Sequence, residues 1–378
     1  MTIPTPLHHA DHIGSLLRPA ALKAAARAHA AGTLDAVGLR HAQDQAIRAA
    51  VAMQTSIGLQ SITDGEFRRG SWFLGFLDAV EGLSTREALI KFQSPAGGEA
   101  SWQTAFVAAK LRRRRGITTD EFKFVDSVID EHRAAHMNAH MRIAKVTMPA
   151  PSLIHFFRGD AAVDRAVYSD LDEFWSDLVA VYREELAVLG KLGCRMVQLD
   201  EVPCAVLCDE RVRLATQARG IAVDRLIDQY VAAINAIAAA RPAGMSIGVH
   251  FCRGNYRGQW MAAGGYEPIA ERVFGNLRVD RLFLEFDSDR AGGFEPLRFV
   301  PPDRSVVLGL VSTKIAALEP VDALARRVEA AARFFPMDRL AISPQCGFAS
   351  SAGGNPISYD DERRKLERVV EAARLIWR

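Results

Sequence analysis

His250 and Cys252 stand two apart in Val249-His250-Phe251-Cys252, a carboxylate follows in Leu284-Glu285-Phe286-Asp287, and a second thiol, Cys346, lies just beyond Ile342-Ser343-Pro344. One imidazole, two thiols and one carboxylate suit zinc, which accepts nitrogen, sulfur and carboxylate oxygen in tetrahedral geometry. Residues i and i+2 leaving a strand project to the same side, so the H-x-C spacing lets both reach one ion. A core histidine with two buried thiols is the bland account; placement at the ends of three separate apolar runs argues against it. Two other runs end in acid pairs, Thr63-Asp64-Gly65-Glu66 and Gln198-Leu199-Asp200-Glu201. Each can serve as a general base, hold a substrate ammonium, or bridge to an arginine such as Arg68 or Arg253. His12, Gly14 and Ser15 end a further run, where the glycine would let a ligand approach the backbone.

Other features carry less chemistry. Cys204 and Cys208 form a C-x3-C with no third ligand nearby and read as packing thiols. The run Arg112–Arg115 is either a solvated face or an anion clamp. Trp72, Phe73 and Phe76 can stack on a flat ligand or fill core.

Such dispersed residues converge only if a scaffold aligns the ends of their strands. Eight short apolar runs, His9–Ser15, Gly58–Thr63, Ile143–Met148, Arg195–Leu199, Met245–Val249, Arg281–Phe286, Ser305–Val311 and Leu340–Ser343, alternate with Ala/Leu/Arg/Glu-rich stretches of helical period. This pattern predicts an α/β fold, a (β/α)8 TIM barrel, which takes about 250 residues plus insertions and carries its function at the strand ends. The stretch between residues 63 and 143 is too long for an ordinary connection. We therefore expect one barrel domain over 1–378 with an insertion between strands 2 and 3, at about residues 79–130, including a hairpin around Ser101–Leu111.

Composition fits that expectation. Of 378 residues 49% are hydrophobic, with 47 Lys+Arg against 45 Asp+Glu and a formal charge of +2. A disordered tail is excluded, and no global charge calls for nucleic acid. No apolar run reaches the roughly 18 residues of a membrane helix, and MTIPTPLHHADHIGS lacks the order of a secretory signal. A soluble cytoplasmic protein is expected, and its five cysteines, an odd number, fit a reducing compartment. Neither G-x-x-x-x-G-K-[ST] nor G-x-G-x-x-G after a strand occurs, so the expected partners are small molecules other than nucleotides; a homo-oligomer stays open.

The segments HIGSLLRP, TDGEFRRGSWF, VQLDEVP, VHFCRGNYRG, GGYEPIAERVF, LFLEFDSDRAGGFEPL and SPQCGFAS resemble the catalytic half of cobalamin-independent methionine synthase and its shorter single-barrel relatives. The likeness runs from residue 12 to the C-terminus and is weakest in the insertion. It implies a catalytic zinc on His250, Cys252, Glu285 and Cys346, and homocysteine contacts from Ser15, Glu66 and Asp200, with His12 beside them. Two departures stand out: the additional N-terminal barrel of the full-length enzymes has no counterpart here, and the histidine thought to protonate the departing folate is replaced in Gly309-Leu-Val-Ser-Thr-Lys314. Lys314 is then the candidate for assisting the leaving group.

The expected activity is zinc-dependent methyl (alkyl) transfer to a thiol, homocysteine, from a methylfolate-type donor. A free thiol has a pKa near 8.5, and coordination to zinc deprotonates it. Two thiolates and a carboxylate bring about −3 against +2, an electron-rich set that leaves a guest sulfur nucleophilic. Four protein ligands make a closed site, so the incoming thiolate must displace Glu285 or His250 or expand the shell. The alternatives are thiol addition to an epoxide, a zinc barrel that binds thiol or folate without turnover, and a metal-independent hydrolase using Glu66 and Asp200.

Overall fold

The computed structural model describes residues 8–90, 92–93, 99–100, 102–135 and 142–378. Residues 1–7 of the segment read for a secretory signal, and Ser101 at the start of the expected hairpin, lie outside them. The strands in chain order are β1 Ser61–Ile62, β2 Val80–Glu87, β3 Phe92–Gln93, β4 Glu99–Ala100, β5 Gln103–Arg113, β6 Ile143–Pro149, β7 Met196–Glu201, β8 Ser246–Phe251, β9 Arg281–Glu285, β10 Ser305–Val311 and β11 Leu340–Pro344. Seven of them form one parallel sheet in the order β1-β6-β7-β8-β9-β10-β11. It curls as a TIM-type barrel with helices such as Leu171–Lys191, Val223–Ala238 and Val321–Ala331 in the crossovers. Between β9 and β10 the crossover is reduced to 3-10 turns at Asp289–Ala291 and Glu295–Phe299. Among the described residues no helix is long and apolar enough to cross a membrane.

The expected first strand, His9–Ser15, is reduced to a parallel bridge between Ala10 and Ile342. Asp11 N donates to Ile342 O (3.0 Å) and Ile342 N to His9 O (2.8 Å). Toward β1 the link is made by side chains: Thr63 Oγ1 donates to Gly14 O (2.7 Å), and His12 Nε2 lies 3.0 Å from Ser61 O. Gly14 has a φ of +138°, and a Cβ there would meet Thr147 Cγ2 at 2.8 Å, so this glycine admits a neighbouring side chain rather than a ligand. The segment between β1 and β6 holds an antiparallel β2–β5 pair. Leu111 thus lies in a strand paired with Val80–Glu87, and the 101–111 stretch is one arm of a wider hairpin, not a hairpin in itself.

Period-two alternation sorts the inward side chains into layers. On β9, Arg281 lies at the floor, Phe283 in the middle and Glu285 at the mouth. Phe283 packs with Ile13, Met196, Val307 and Ala341 in an inner cluster separate from the helix-facing core. Below it, Lys145 Nζ reaches Asp11 Oδ1 (2.9 Å) and Arg281 Nη1 reaches Asp11 Oδ2 (3.2 Å). Above it the strands end in the chemically interesting residues.

Candidate functional site

Asp200 on β7 stands in register with His250 on β8, so the two strands deliver a carboxylate and an imidazole side by side. Cys252 follows β8 by one residue, and Cys346 follows β11 by two. Ligand atoms of His250, Cys252 and Cys346 lie within 4.8 Å of one another. The two sulfurs are 3.4 Å apart. The hydrogen bond between them holds the Cys346 thiol well below the ordinary value against the effect of burial and, together with burial, pushes Cys252 well above it. His250 is 2% exposed, and apart from the Cys346 sulfur beside it neither ring nitrogen has a hydrogen-bond partner. Buried imidazoles are ordinarily satisfied, so one facing only two sulfurs could hold a metal ion together with them.

Glu285 stands outside this group of three. Its Oε2 accepts from Arg253 N (3.0 Å), and its Oε1 faces Lys314 Nζ at 3.4 Å and is paired with Arg290 Nη2. Burial pushes its carboxyl up, but Lys314, Arg290 and Arg253 outweigh it and bring it to about 2. Lys314 also faces Asp287 at 3.5 Å.

A cavity of about 370 Å³ opens over the three-residue group and is lined by Ser15, Glu66, Asp200, His250, Cys252 and Cys346 at its inner end. Neither His12 nor Lys314 lines it. His12 is 1% exposed in the barrel wall, and burial drives its imidazole down to about 3, so a neutral ring holds the seam. Glu66 has a φ of +61°, in the left-handed region. Such a conformation costs about 1–3 kcal/mol and persists where surroundings over-determine it. Here they do: Thr147 Oγ1 donates to Glu66 Oε1 (2.8 Å) and accepts from Arg69 Nη1 (3.0 Å), and Arg69 Nε is tied to Glu121 Oε1 (3.0 Å). Glu66 Oε2 is buried with no partner. Burial raises the Glu66 carboxyl and pushes Asp200 up to about 7, despite the hydrogen bond Asp200 accepts from Gln198 (2.7 Å).

The outer end of the cavity is aromatic. Trp72, Phe73, Trp102 and Phe157 line it, whereas Phe76 packs on Tyr182 with ring centroids 4.9 Å apart. Trp102 and Phe157 have no place among the sequence candidates; nothing local marks them, since β5 and the turn after β6 bring them there. Thr147 was more legible, as a polar residue at an alternate position of an apolar run. Cys204 is buried, its backbone N–H donating to Glu201 Oε1 (2.7 Å), and with Cys208 belongs to no metal-competent group among the described residues. Arg113 pairs with the buried Glu185 at 2.7 Å, which makes that part of the arginine run structural.

Residues 9–374 match the family model described as cobalamin-independent synthase, catalytic domain. The uncharacterized protein YxjH of Bacillus subtilis is 37% identical over 371 residues, covering 98% of this chain and 94% of that protein. A protein named methionine synthase from Saccharolobus solfataricus is 23% identical and covers 98% of this chain and 95% of its own length. Among solved structures, a Listeria monocytogenes protein described as a candidate vitamin-B12-independent methionine synthase superposes with a TM-score of 0.76 at 29% identity, covering 99% of both chains.

Proposed function

Because the chain belongs to the family of the cobalamin-independent synthase catalytic domain, we propose that it methylates the sulfur of homocysteine, with a zinc ion held by His250, Cys252, Cys346 and Glu285. The observation that carries this reading is the buried His250, with no hydrogen-bond partner beyond the Cys346 sulfur and ligand atoms of two thiols within 4.8 Å. Bound zinc would supply deprotonation of the acceptor thiol at neutral pH. Everything else falls to side chains of this protein. Asp200 and the free Oε2 of Glu66 hold the acceptor's ammonium, with Ser15 beside them, and so fix the sulfur near the two cysteines. The Glu121–Arg69–Thr147 chain keeps Glu66 from turning away. Glu285 carries three cationic partners, Lys314, Arg290 and Arg253, which hold it ionised and would keep it so as fourth ligand. Burial of the inner cavity keeps competing water from the sulfur.

Metal analysis of the purified protein should give about one zinc per chain, and homocysteine should shift the visible absorption of the cobalt-substituted form. Full activity surviving complete chelation refutes the proposal.

A further inference from the structure

The walls of the cavity also speak about the second substrate, on the premise that the reaction is methyl transfer to a thiol as proposed above. Among its described lining residues there is neither lysine nor arginine, while Glu66 and Asp200 are both there. The nearby cations are spent elsewhere: Lys314, Arg290 and Arg253 converge on Glu285. The outer wall is a continuous edge-to-face series, with ring centroids 5.5 Å apart for Trp72 and Phe73, 6.4 Å for Phe73 and Trp102, and 4.6 Å for Trp102 and Phe157. The Trp102 indole N–H is committed to Ile90 O at 2.9 Å, so what this residue offers is its π surface.

We propose that the methyl donor is a small onium compound, a methylsulfonium or a quaternary methylammonium, seated against the Trp72–Phe73–Trp102–Phe157 wall. Aromatic faces attract such cations, most strongly where the site is desolvated. The same surroundings are hostile to the carboxylates of a folate tail, which would meet two acids and neither lysine nor arginine. The leaving group fits as well. The acceptor thiolate gives an electron pair to the methyl carbon, the C–S or C–N bond breaks with its pair remaining on the heteroatom, and a neutral thioether or tertiary amine departs. No proton is needed, in keeping with a cavity that Lys314 does not line. One negative and one positive charge are consumed together, which a low-dielectric cavity favours.

The test is titration of the whole zinc-loaded protein with trimethylsulfonium and, separately, tetramethylammonium, followed by tryptophan fluorescence, with neutral tert-butanol as the size control. Binding of a cation at least tenfold tighter than tert-butanol is expected, lost in Trp102→Leu and largely kept in Trp102→Phe. With homocysteine present, methionine should form together with dimethyl sulfide in the sulfonium arm or trimethylamine in the ammonium arm, and the productive arm names the source. Equal binding of cation and alcohol overturns the inference. Methionine formed from methyltetrahydrofolate but from neither cation also overturns it, while leaving the proposed function standing. Methionine from no donor, with no spectral response of the cobalt form to homocysteine, overturns the parent reading instead.

Discussion

Two groups of buried charge share the barrel interior, and they are built to opposite ends. At the floor, each oxygen of Asp11 has a cation, Lys145 at 2.9 Å and Arg281 at 3.2 Å, and all three side chains are at most 1% exposed. At the mouth, His250 has no partner beyond the Cys346 sulfur, and Glu66 has an unpartnered oxygen and a left-handed backbone. Burial and strand alternation are common to both; satisfaction is not. The floor is arranged to be stable as it is, and the mouth to be completed by something it binds.

The largest effect should come from the mouth and spare the fold. Cys252→Ser or Cys346→Ser removes a proposed ligand and should lower turnover by about a thousand-fold or more, given the several kcal/mol that metal catalysis supplies. Bound zinc, measured by elemental analysis, should vanish with it, and urea unfolding of the metal-free proteins should barely differ. Asp11→Ala is the mirror case. It removes the anion shared by two buried cations and should cost about 3–5 kcal/mol of stability in urea, while the residual folded protein keeps its metal content; loss of zinc with stability intact would break the contrast.

Acid and base should then separate the two groups. Asp11 is pushed up by burial, but Lys145 and Arg281 outweigh this and hold it below the ordinary value. A depressed carboxyl stabilises above its unfolded value and loses that contribution as pH falls through the folded one, so the floor weakens only in strong acid. Asp200, raised to about 7 by burial, has the reverse sign: its contribution is whole below about pH 4 and drains away as pH climbs toward 7, at up to about 1.4 kcal/mol per unit. In Asp200→Asn the stability of the metal-free protein between pH 4.5 and 7.5 should flatten accordingly; an unchanged slope would mean that Asp200 is charged throughout. Smallest is Thr147→Val, which frees Glu66 from one hydrogen bond worth about 1 kcal/mol. It should raise KM for homocysteine several-fold while leaving zinc content and kcat near wild type.

The barrel was largely legible in the sequence because fully buried parallel strands read as near-continuous apolar runs, as β10 does in Ser305–Val311. Ser305–Val311 and the start of β9 at Arg281 needed no revision. The first run was misleading for a physical reason: His9–Ser15 has strand-like side chains, yet Gly14 at φ +138° and the polar bonds to Ser61 and Thr63 replace the ladder. At the mouth, the H-x-C spacing placed His250 and Cys252 together because period-two geometry is local. The state of Glu285 was not legible, since it depends on Arg290 and Lys314 arriving from two other connections. The aromatic wall was half visible, in Trp72 and Phe73, and half hidden in residues whose partners are set only by the tertiary fold.

The seam has a temporal consequence. Four links tie residues 9–18 to the far end of the sequence: Ala10 on Ile342, Ser15 O receiving Phe348 N, Arg18 donating to Ala349 O, Leu17 N bound by Glu362. A ribosome releases the first of these stretches long before the second exists. Those four links must therefore wait until residues 342–362 have emerged, and the binding chamber, whose wall includes Cys346, closes only then.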